Sequence, residues 1–469
     1  MSPSKDPRHF FARTFHKITK NRRSSILAVV FALWALFGNR WIFFALPSPN
    51  NDASNKKAQT QLDSIEFKYQ LRRLKDEGHW KLLGEGSISE SQDERNRTGN
   101  EQEEADIAFF VQISNTNINL VPRLLSRIWH PKNLYCLHFD NKIPPKMIEM
   151  FRDALKTNKH LNNTFLMPST IITYTGVSMV LNTLDSITTL LQDPRPWEYF
   201  INLSGSDYPL VSPSGLRRLL GQRNAKQKQK SFIHFSQMVN KWDRLVRHRL
   251  GILHFDLSLG FKPNLESELV ESEKKHPVLK SQHLNISIPK GEAWFIAHRS
   301  FCQEAATGIF ARRLITLFAN MQSPSEHFFQ TLVWNHEGFN MTTAKYSFRL
   351  VKWGRRDGSS RQHPLYLDER AENGTWKHWS AISRSNDFFM RKLRVADSGL
   401  MDHVDTHLSG ASEELVNPPT VHQSFKQVSK MFTCIAHADS SDLSTIRACS
   451  ARKRTAGKIT LASPPPSLG

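Results

Sequence analysis

Cysteine is nearly absent from this 469-residue chain: only Cys136, Cys302, Cys434 and Cys449 occur. With no C-x-x-C and no His/Cys cluster at zinc spacing, neither a disulfide framework nor a zinc module holds the fold. Cys434 and Cys449 lie close enough in sequence to pair in an oxidising lumen, or to remain free thiols. Also missing are the Walker A loop, G-x-G-x-x-G, H-E-x-x-H and G-x-S-x-G, which argues against P-loop, Rossmann, zincin and α/β-hydrolase chemistry. A further absence is Asp-x-Asp, the carboxylate pair with which many nucleotide-sugar enzymes hold a divalent cation on a diphosphate. If a diphosphate binds this chain, Lys and Arg have to neutralise it, and no metal site is expected.

Acidic residues are outnumbered, 43 Asp and Glu against 63 Lys and Arg, for a formal charge of +20 and a pI near 9.8. Such a surplus implies anionic company: nucleic acid, phospholipid, a sugar nucleotide or an acidic polymer. Most of it lies beyond residue 105.

Long hydrophobic runs are scarce too. The run "ILAVVFALWALFG" (26–38) resumes after Asn39 and Arg40 as "WIFFAL" to Leu46, together about the 20 residues that span a bilayer. It is preceded by Lys5, Arg8, Arg13, Lys17, Lys20, Arg22 and Arg23 against Asp6 alone, so the positive-inside rule keeps the amino terminus cytosolic and sends the remainder across. No small-residue cleavage site follows Leu46, so residues 24–46 read as a retained signal anchor; an organellar presequence is the alternative.

Five regions follow: a basic cytosolic tail (1–23), the anchor (24–46), a polar stem (47–105), a catalytic candidate (106–408) and a polar extension (409–469) that ends in "SPPPSLG". In the fourth, "IAFFVQI" reads as a strand, Ile118 to Ile128 as a helix and "LYCLHFD" as a second strand ending at Asp140. A helix over Val177 to Leu191 and the strand Tyr199–Leu203 continue the alternation, which predicts an α/β domain. Ser204-Gly205-Ser206-Asp207 then forms a turn at a strand's carboxyl end, where open α/β folds bind ligands. Ser212-Pro213 starts a helix, and "SFIHF" (231–235) supplies another strand. Six N-x-[ST] tripeptides, at Asn96, Asn162, Asn202, Asn285, Asn340 and Asn373, fit a luminal domain, with Asn202 expected to be buried.

Two constellations can carry chemistry. In "SPSEHFFQTLVWN" (323–335), Ser323, Pro324 and Glu326 have the spacing of a capping box. Glu326 therefore either caps its helix or, beside Phe328 and Phe329, acts as a general base. The basic stretches "FRLVKWGRRDGSSRQHPLYL" (348–367) and "FFMRKL" (388–393) bring Arg355, Arg356, Arg361, Arg391 and Lys392, which are a solvated face or the cations of a metal-free diphosphate site.

"PWEYFINLSGSDYPL", "GEAWFIAHRSFC" (291–302), "SPSEHFFQTLVWN", "KWGRRDGSSRQHPLYL" and "FFMRKL" together resemble, in order and spacing, the core-2/I-branching and peptide O-xylosyltransferase family, glycosyltransferase family 14. The likeness runs from about Ile107 to Leu408. It implies a GT-A-like fold behind a single N-terminal transmembrane helix, Golgi type II topology with the catalytic domain luminal, a UDP-sugar donor carrying N-acetylglucosamine, xylose or glucuronate, a glycan or glycoprotein acceptor, and inversion without a metal or other cofactor. By position, Glu326 matches the catalytic base, Lys392 the diphosphate-binding Lys of "F-A-R-K-F", and Asp140 the Asp of "H-V-D" near the nucleotide. Arg391 and Arg361 are further diphosphate candidates. Trp294 lies in a segment expected near the sugars. Asp207 lines the nucleotide-sugar cleft or accepts backbone hydrogen bonds in its own turn. Two segments depart from the pattern: Gly291-Glu292-Ala293-Trp294 replaces Gly-Ser-Ala-Trp, and Tyr174-Thr175-Gly176-Val177-Ser178 replaces W-G-G-x-S. The rival expectation is an inactive membrane-anchored glycan-binding protein of the same fold. A nucleic-acid partner is not expected for a luminal domain.

Overall fold

The computed structural model describes residues 104–157, 162–222, 225, 228–236, 246, 248–260, 269–271, 285–355, 362–396 and 399–408. The expected anchor at 24–46, the stem, Arg356, Arg361, Cys434 and Cys449 lie outside them. Among the described residues no helix is long and apolar enough to cross a membrane.

The first half alternates as expected. Strands β1 (Ile107–Ile113), β2 (Leu134–Phe139), β3 (Thr164–Leu166) and β4 (Tyr199–Ser204) are separated by helices α1 (Val121–Ile128), α2 (Pro145–Thr157) and α3 (Ser178–Gln192). β1 pairs in parallel with both β2 and β4, and β2 with β3. Then come β5 (Asp207–Pro209), α4 (Pro213–Leu220), β6 (Ser231–Phe232), β7 (Phe235–Ser236), β8 (His254–Asp256), β9 (Leu269–Glu271), β10 (Lys290–Gly291) and β11 (Ile296–His298). The rest is helical up to β12 (Thr343–Ala344), through α5 (Arg299–Thr307), α6 (Ile309–Phe318), α7 (Phe328–Asn335) and α8 (Glu337–Thr342), and ends with β13 (Arg349–Val351), β14 (Trp353–Arg355), β15 (Gln362–Pro364), α9 (Trp379–Ile382), β16 (Phe389–Arg391) and α10 (Leu400–His407).

The central sheet runs β12-β6-β11-β4-β1-β2-β3, with β11 antiparallel to its neighbours. Its strands are apolar at almost every position because both faces are covered. On β1, Ile107, Phe109, Val111 and Ile113 join the core with Ile118, Val121, Leu124 and Phe151, whereas Ala108 and Phe110 join the opposite core with Val180, Ile187, Phe301 and Phe329. A second sheet, β13-β16-β5, carries the end of the domain, with Arg391 opposite Asp207 in its register. Its own core includes Tyr208, Leu367, Met390 and Leu400. Tyr208, Arg123 and Arg127 hold Asp405 of α10 against α1.

Two local readings are corrected. The "SFIHF" stretch is two strands: Ser231–Phe232 stays in the central sheet, while Phe235–Ser236 pairs with β10. The turn expected at Ser204–Asp207 is present at Gly205 and Ser206, with Asp207 opening β5. No capping box forms at Ser323, which adopts left-handed backbone angles (φ 54, ψ 49) and makes no side-chain cap; Pro324–Glu326 is a 3-10 turn and the helix proper starts at Phe328. The Ser323 N–H goes instead to the Thr175 carbonyl, at 2.8 Å. Ser212 does cap α4, accepting from the Gly215 N–H at 3.1 Å. Asn202 is buried as expected, its amide bridging the Ala293 carbonyl and the Phe295 N–H at 2.7 Å each.

Phe110 is fully buried at the centre of the sheet. Phe110→Ala is therefore expected to destabilise the domain by about 3–5 kcal/mol. Met341→Ala, at a position 62% exposed, should stay within about 0.5 kcal/mol. Chemical denaturation followed by circular dichroism checks both.

Candidate functional site

β2 and β3 lie on one side of β1, and β4 on the other, so the chain order switches between β1 and β4. Crevices at such points collect ligands at the carboxyl ends of the strands. After β1, Asn117 accepts from the Ser114 N–H at 2.9 Å and donates to Ser204 Oγ at 3.4 Å, bridging the two strand ends. Gly205 is required by this closeness, since a Cβ there would stand 2.6 Å from Asn117 Oδ1.

At the end of β4 the buried Asp207 carboxylate accepts the Ser204 N–H at 2.7 Å and an Arg391 N–H at 3.0 Å. The side chain fixes its own turn, as one of the two sequence readings has it, and it also pairs with Arg391. The Arg391 guanidinium stacks on the Trp294 ring, 4.4 Å from its centroid. Next along the chain, Lys392 Nζ lies 4.9 Å from the centroid of the Tyr366 ring. The fold therefore brings Asp207, Trp294 and Arg391 together, with Lys392 next to Arg391 in the chain and against Tyr366. Asp140 sits at the same edge of the sheet, at the end of β2, with its carboxylate accepting the Lys142 N–H and pairing with Lys142 Nζ at 3.0 Å. Arg361 lies outside the described residues.

Glu326 occupies the turn before α7. Its Oε2 is held by Arg249 at 2.8 Å and by Lys290 Nζ at 3.3 Å, and the side chain is one-third exposed. Oε1 makes no hydrogen bond among the described residues. Arg249 also contacts His327 Nε2 at 2.9 Å, while the other ring nitrogen of His327 meets the Pro289 carbonyl at 2.9 Å. Burial, with Arg249 and Lys290 nearby, pushes His327 down to about 3, so the ring is neutral at physiological pH. The carboxylate is fixed in place by two cations and keeps one oxygen for a ligand hydroxyl.

Sequence reasoning missed four residues. Arg249 and Lys290 carried no periodic or motif signal, since only tertiary folding carries them to Glu326. Glu292, noted as a departure from a pattern, accepts from Ser347 Oγ at 3.1 Å. Arg349, not singled out within a run read as either a solvated face or a diphosphate site, is buried: it donates to the Asn202 carbonyl at 2.6 Å and lies 5.1 Å from the Phe389 ring centroid, with Nε and Nη1 unpartnered among the described residues. Burial pushes its guanidinium down to about 10 against the pull of Asp207 and Glu292, so it stays charged at neutral pH. Among the described residues no group of three or more His, Cys, Asp or Glu is placed to hold a metal ion.

The family model for "Core-2/I-Branching enzyme" matches residues 107–373, which contain Asp140, Asp207, Trp294 and Glu326 but not Arg391 and Lys392. The chain belongs to the Core-2/I-Branching enzyme family. Membership makes it a glycosyltransferase, built on the mixed α/β fold described above. It is similar to the beta-glucuronosyltransferase GlcAT14B of Arabidopsis thaliana, 26% identical over 66% of this chain and 68% of that protein. A second Arabidopsis thaliana protein, the beta-glucuronosyltransferase GlcAT14A, is 26% identical over 63% of this chain and 62% of its own length. The human beta-1,3-galactosyl-O-glycosyl-glycoprotein beta-1,6-N-acetylglucosaminyltransferase 3 is 27% identical over 55% of this chain and 56% of its own. The matched part of the chain thus spans only about two-thirds or less of these relatives. The family model stops before Lys392, but the pairing of β16 with β5 carries Arg391 and Lys392 back to the matched region.

A histidine held neutral in the fold carries a sign for acid stability. Below its ordinary value of 6.5 the unfolded chain binds a proton that folded His327 refuses until about pH 3, so stability falls as pH drops through that window. His130 and His298, pushed down to about 3 and 4 by burial, act in the same direction. Replacing His327 with Gln should shrink the stability lost between pH 7 and pH 5, measured as the shift of the urea midpoint, relative to wild type.

Proposed function

We propose that this protein is an inverting, metal-independent glycosyltransferase that moves a sugar from a UDP-sugar to a hydroxyl of a glycan or protein acceptor. The observation that carries the reading is the pairing of an anchored carboxylate, Glu326, with a strand-end cluster of cations, Arg391 and Lys392, joined by one short stretch of chain, residues 290–294. Glu326 Oε1 accepts the proton of the acceptor hydroxyl as its oxygen attacks C1 of the donor sugar. The C1–O bond to the diphosphate breaks on the opposite face, its electron pair leaves with UDP, and the anomeric configuration inverts. Lys392 and Arg391 stabilise the charge that builds on the departing diphosphate, the task a metal ion performs elsewhere. Asp140 and Asp207 border the nucleotide at the strand ends, and Trp294 holds the Arg391 plane. Arg361 completes the cation set from the basic stretch before β15. N-acetylglucosamine, xylose and glucuronate are the candidate sugars. Residues 24–46 anchor the chain in the Golgi membrane with the catalytic domain luminal, a topology supported by the basic tail and the apolar run. Nucleic acid is not a partner in this reading.

Glu326→Gln is expected to lower the turnover number by about 10²–10⁴-fold with little change in donor affinity, whereas Lys392→Ala should weaken UDP binding. EDTA should leave the wild-type rate intact. UDP release with a panel of UDP-sugars and acceptors measures all three. A Glu326→Gln rate equal to wild type reduces the carboxylate to a structural role and favours an inactive glycan-binding protein of the same fold.

A further inference from the structure

The donor sugar in this reading lies along residues 290–294. At one end Lys290 Nζ stands 3.3 Å from Glu326 Oε2; at the other, Trp294 stacks on Arg391, which holds Asp207. Along this stretch Gly291, Glu292 and Ala293 lie between the two ends. Gly291 admits no side chain, because a Cβ would stand 2.0 Å from the His234 carbonyl oxygen. Ala293 offers a methyl group. The stretch is pinned from both sides, by Gln330 Nε2 on the Glu292 carbonyl at 2.6 Å and by Asn202 Nδ2 on the Ala293 carbonyl at 2.7 Å. Glu292 is thus the one polar side chain that the stretch presents between the two ends.

Its carboxylate is half committed. Oε2 accepts from Ser347 Oγ at 3.1 Å, whereas Oε1 comes no closer than 3.9 Å to His234 Nδ1, beyond hydrogen-bond reach. The side chain is 21% exposed, so a ligand reaches it. Among the described residues no cation hydrogen-bonds this carboxylate: Lys290 pairs with Glu326, Arg391 with Asp207, and Arg349, though drawn by the Glu292 charge, donates to main-chain carbonyls and keeps its remaining nitrogens buried.

We propose that Glu292 is a specificity-determining residue: its free oxygen accepts a hydrogen bond from a donor-sugar hydroxyl, and its charge rejects a uronic acid, so the donor is a UDP-linked neutral sugar. The proposal rests on the glycosyl-transfer reading above and sets this chain apart from the beta-glucuronosyltransferases it is similar to. A carboxylate accepts hydrogen bonds and donates none, so a sugar hydroxyl suits it, whereas a second carboxylate without a cation between them is repelled. Such like-charge contact is expected to weaken binding by about tenfold or more.

The test is donor binding to the full chain in detergent, measured by calorimetry with UDP, UDP-xylose, UDP-N-acetylglucosamine and UDP-glucuronate, for wild type, Glu292→Gln and Glu292→Ser. Wild type should bind at least one neutral donor about tenfold or more tighter than UDP-glucuronate. Both variants should close the gap by gaining affinity for UDP-glucuronate while binding UDP itself as wild type does, which also shows them folded. Wild type binding UDP-glucuronate as tightly as any neutral donor overturns the proposal, as does a gap that survives in both variants. Should UDP bind to none of the proteins, the glycosyl-transfer reading falls and takes this proposal with it, so the two failures are distinct. The wild-type comparison decides alone if a variant does not fold.

Discussion

A buried carboxylate joins the two sheets of this domain. Asp207 leaves the central sheet one turn after β4, accepts the Ser204 N–H behind it and the Arg391 guanidinium across β5 and β16. Breaking such a pair leaves an uncompensated charge in a low-dielectric interior, typically a loss of about 3–5 kcal/mol, so Arg391 has little freedom of position. The guanidinium in turn carries the Trp294 ring on its face, and the backbone around Trp294 is tied to β4 through the Asn202 amide. The segment that reaches Glu326 is therefore located by an ion pair and the hydrogen bonds around it.

Glu326 is located by the same logic in reverse. Here the carboxylate is part-exposed and the cations are its supports, Arg249 and Lys290 converging on one oxygen. His327, kept neutral by burial, accepts from Arg249 and meets the Pro289 carbonyl, which holds the start of the 290–294 stretch against the helix of the base. A strongly basic chain thus spends several of its cations, Arg249, Lys290 and Arg391 among them, on carboxylates of its own.

Much of this was readable in advance. The continuous apolar runs of β1, β2 and β4 marked strands covered on both faces, because each alternate residue meets a different core. Ser204-Gly205-Ser206-Asp207 marked a strand end with small polar groups, and Gly205 is there because Asn117 leaves no room for a Cβ. The Ser323-Pro324-Glu326 spacing misled: a local capping signal was overridden when the Ser323 N–H found the Thr175 carbonyl and the Glu326 side chain found two cations. Arg349 gave no signal of its own, since nothing in a basic run marks the member over which the sheet closes.

The sequence by itself determined the α/β class, the ordered motifs that mark the family and the identity of the carboxylate and lysine proposed for the chemistry, because these depend on local periodicity and on the order of short motifs. Only the tertiary structure decided that Lys290 and Arg249 support Glu326, that Asp207 holds Arg391, and that Glu292 stands between the two ends of the site. The ion pairs among these join residues between 36 and 184 positions apart, and no local pattern encodes a meeting that requires the whole sheet to be assembled first.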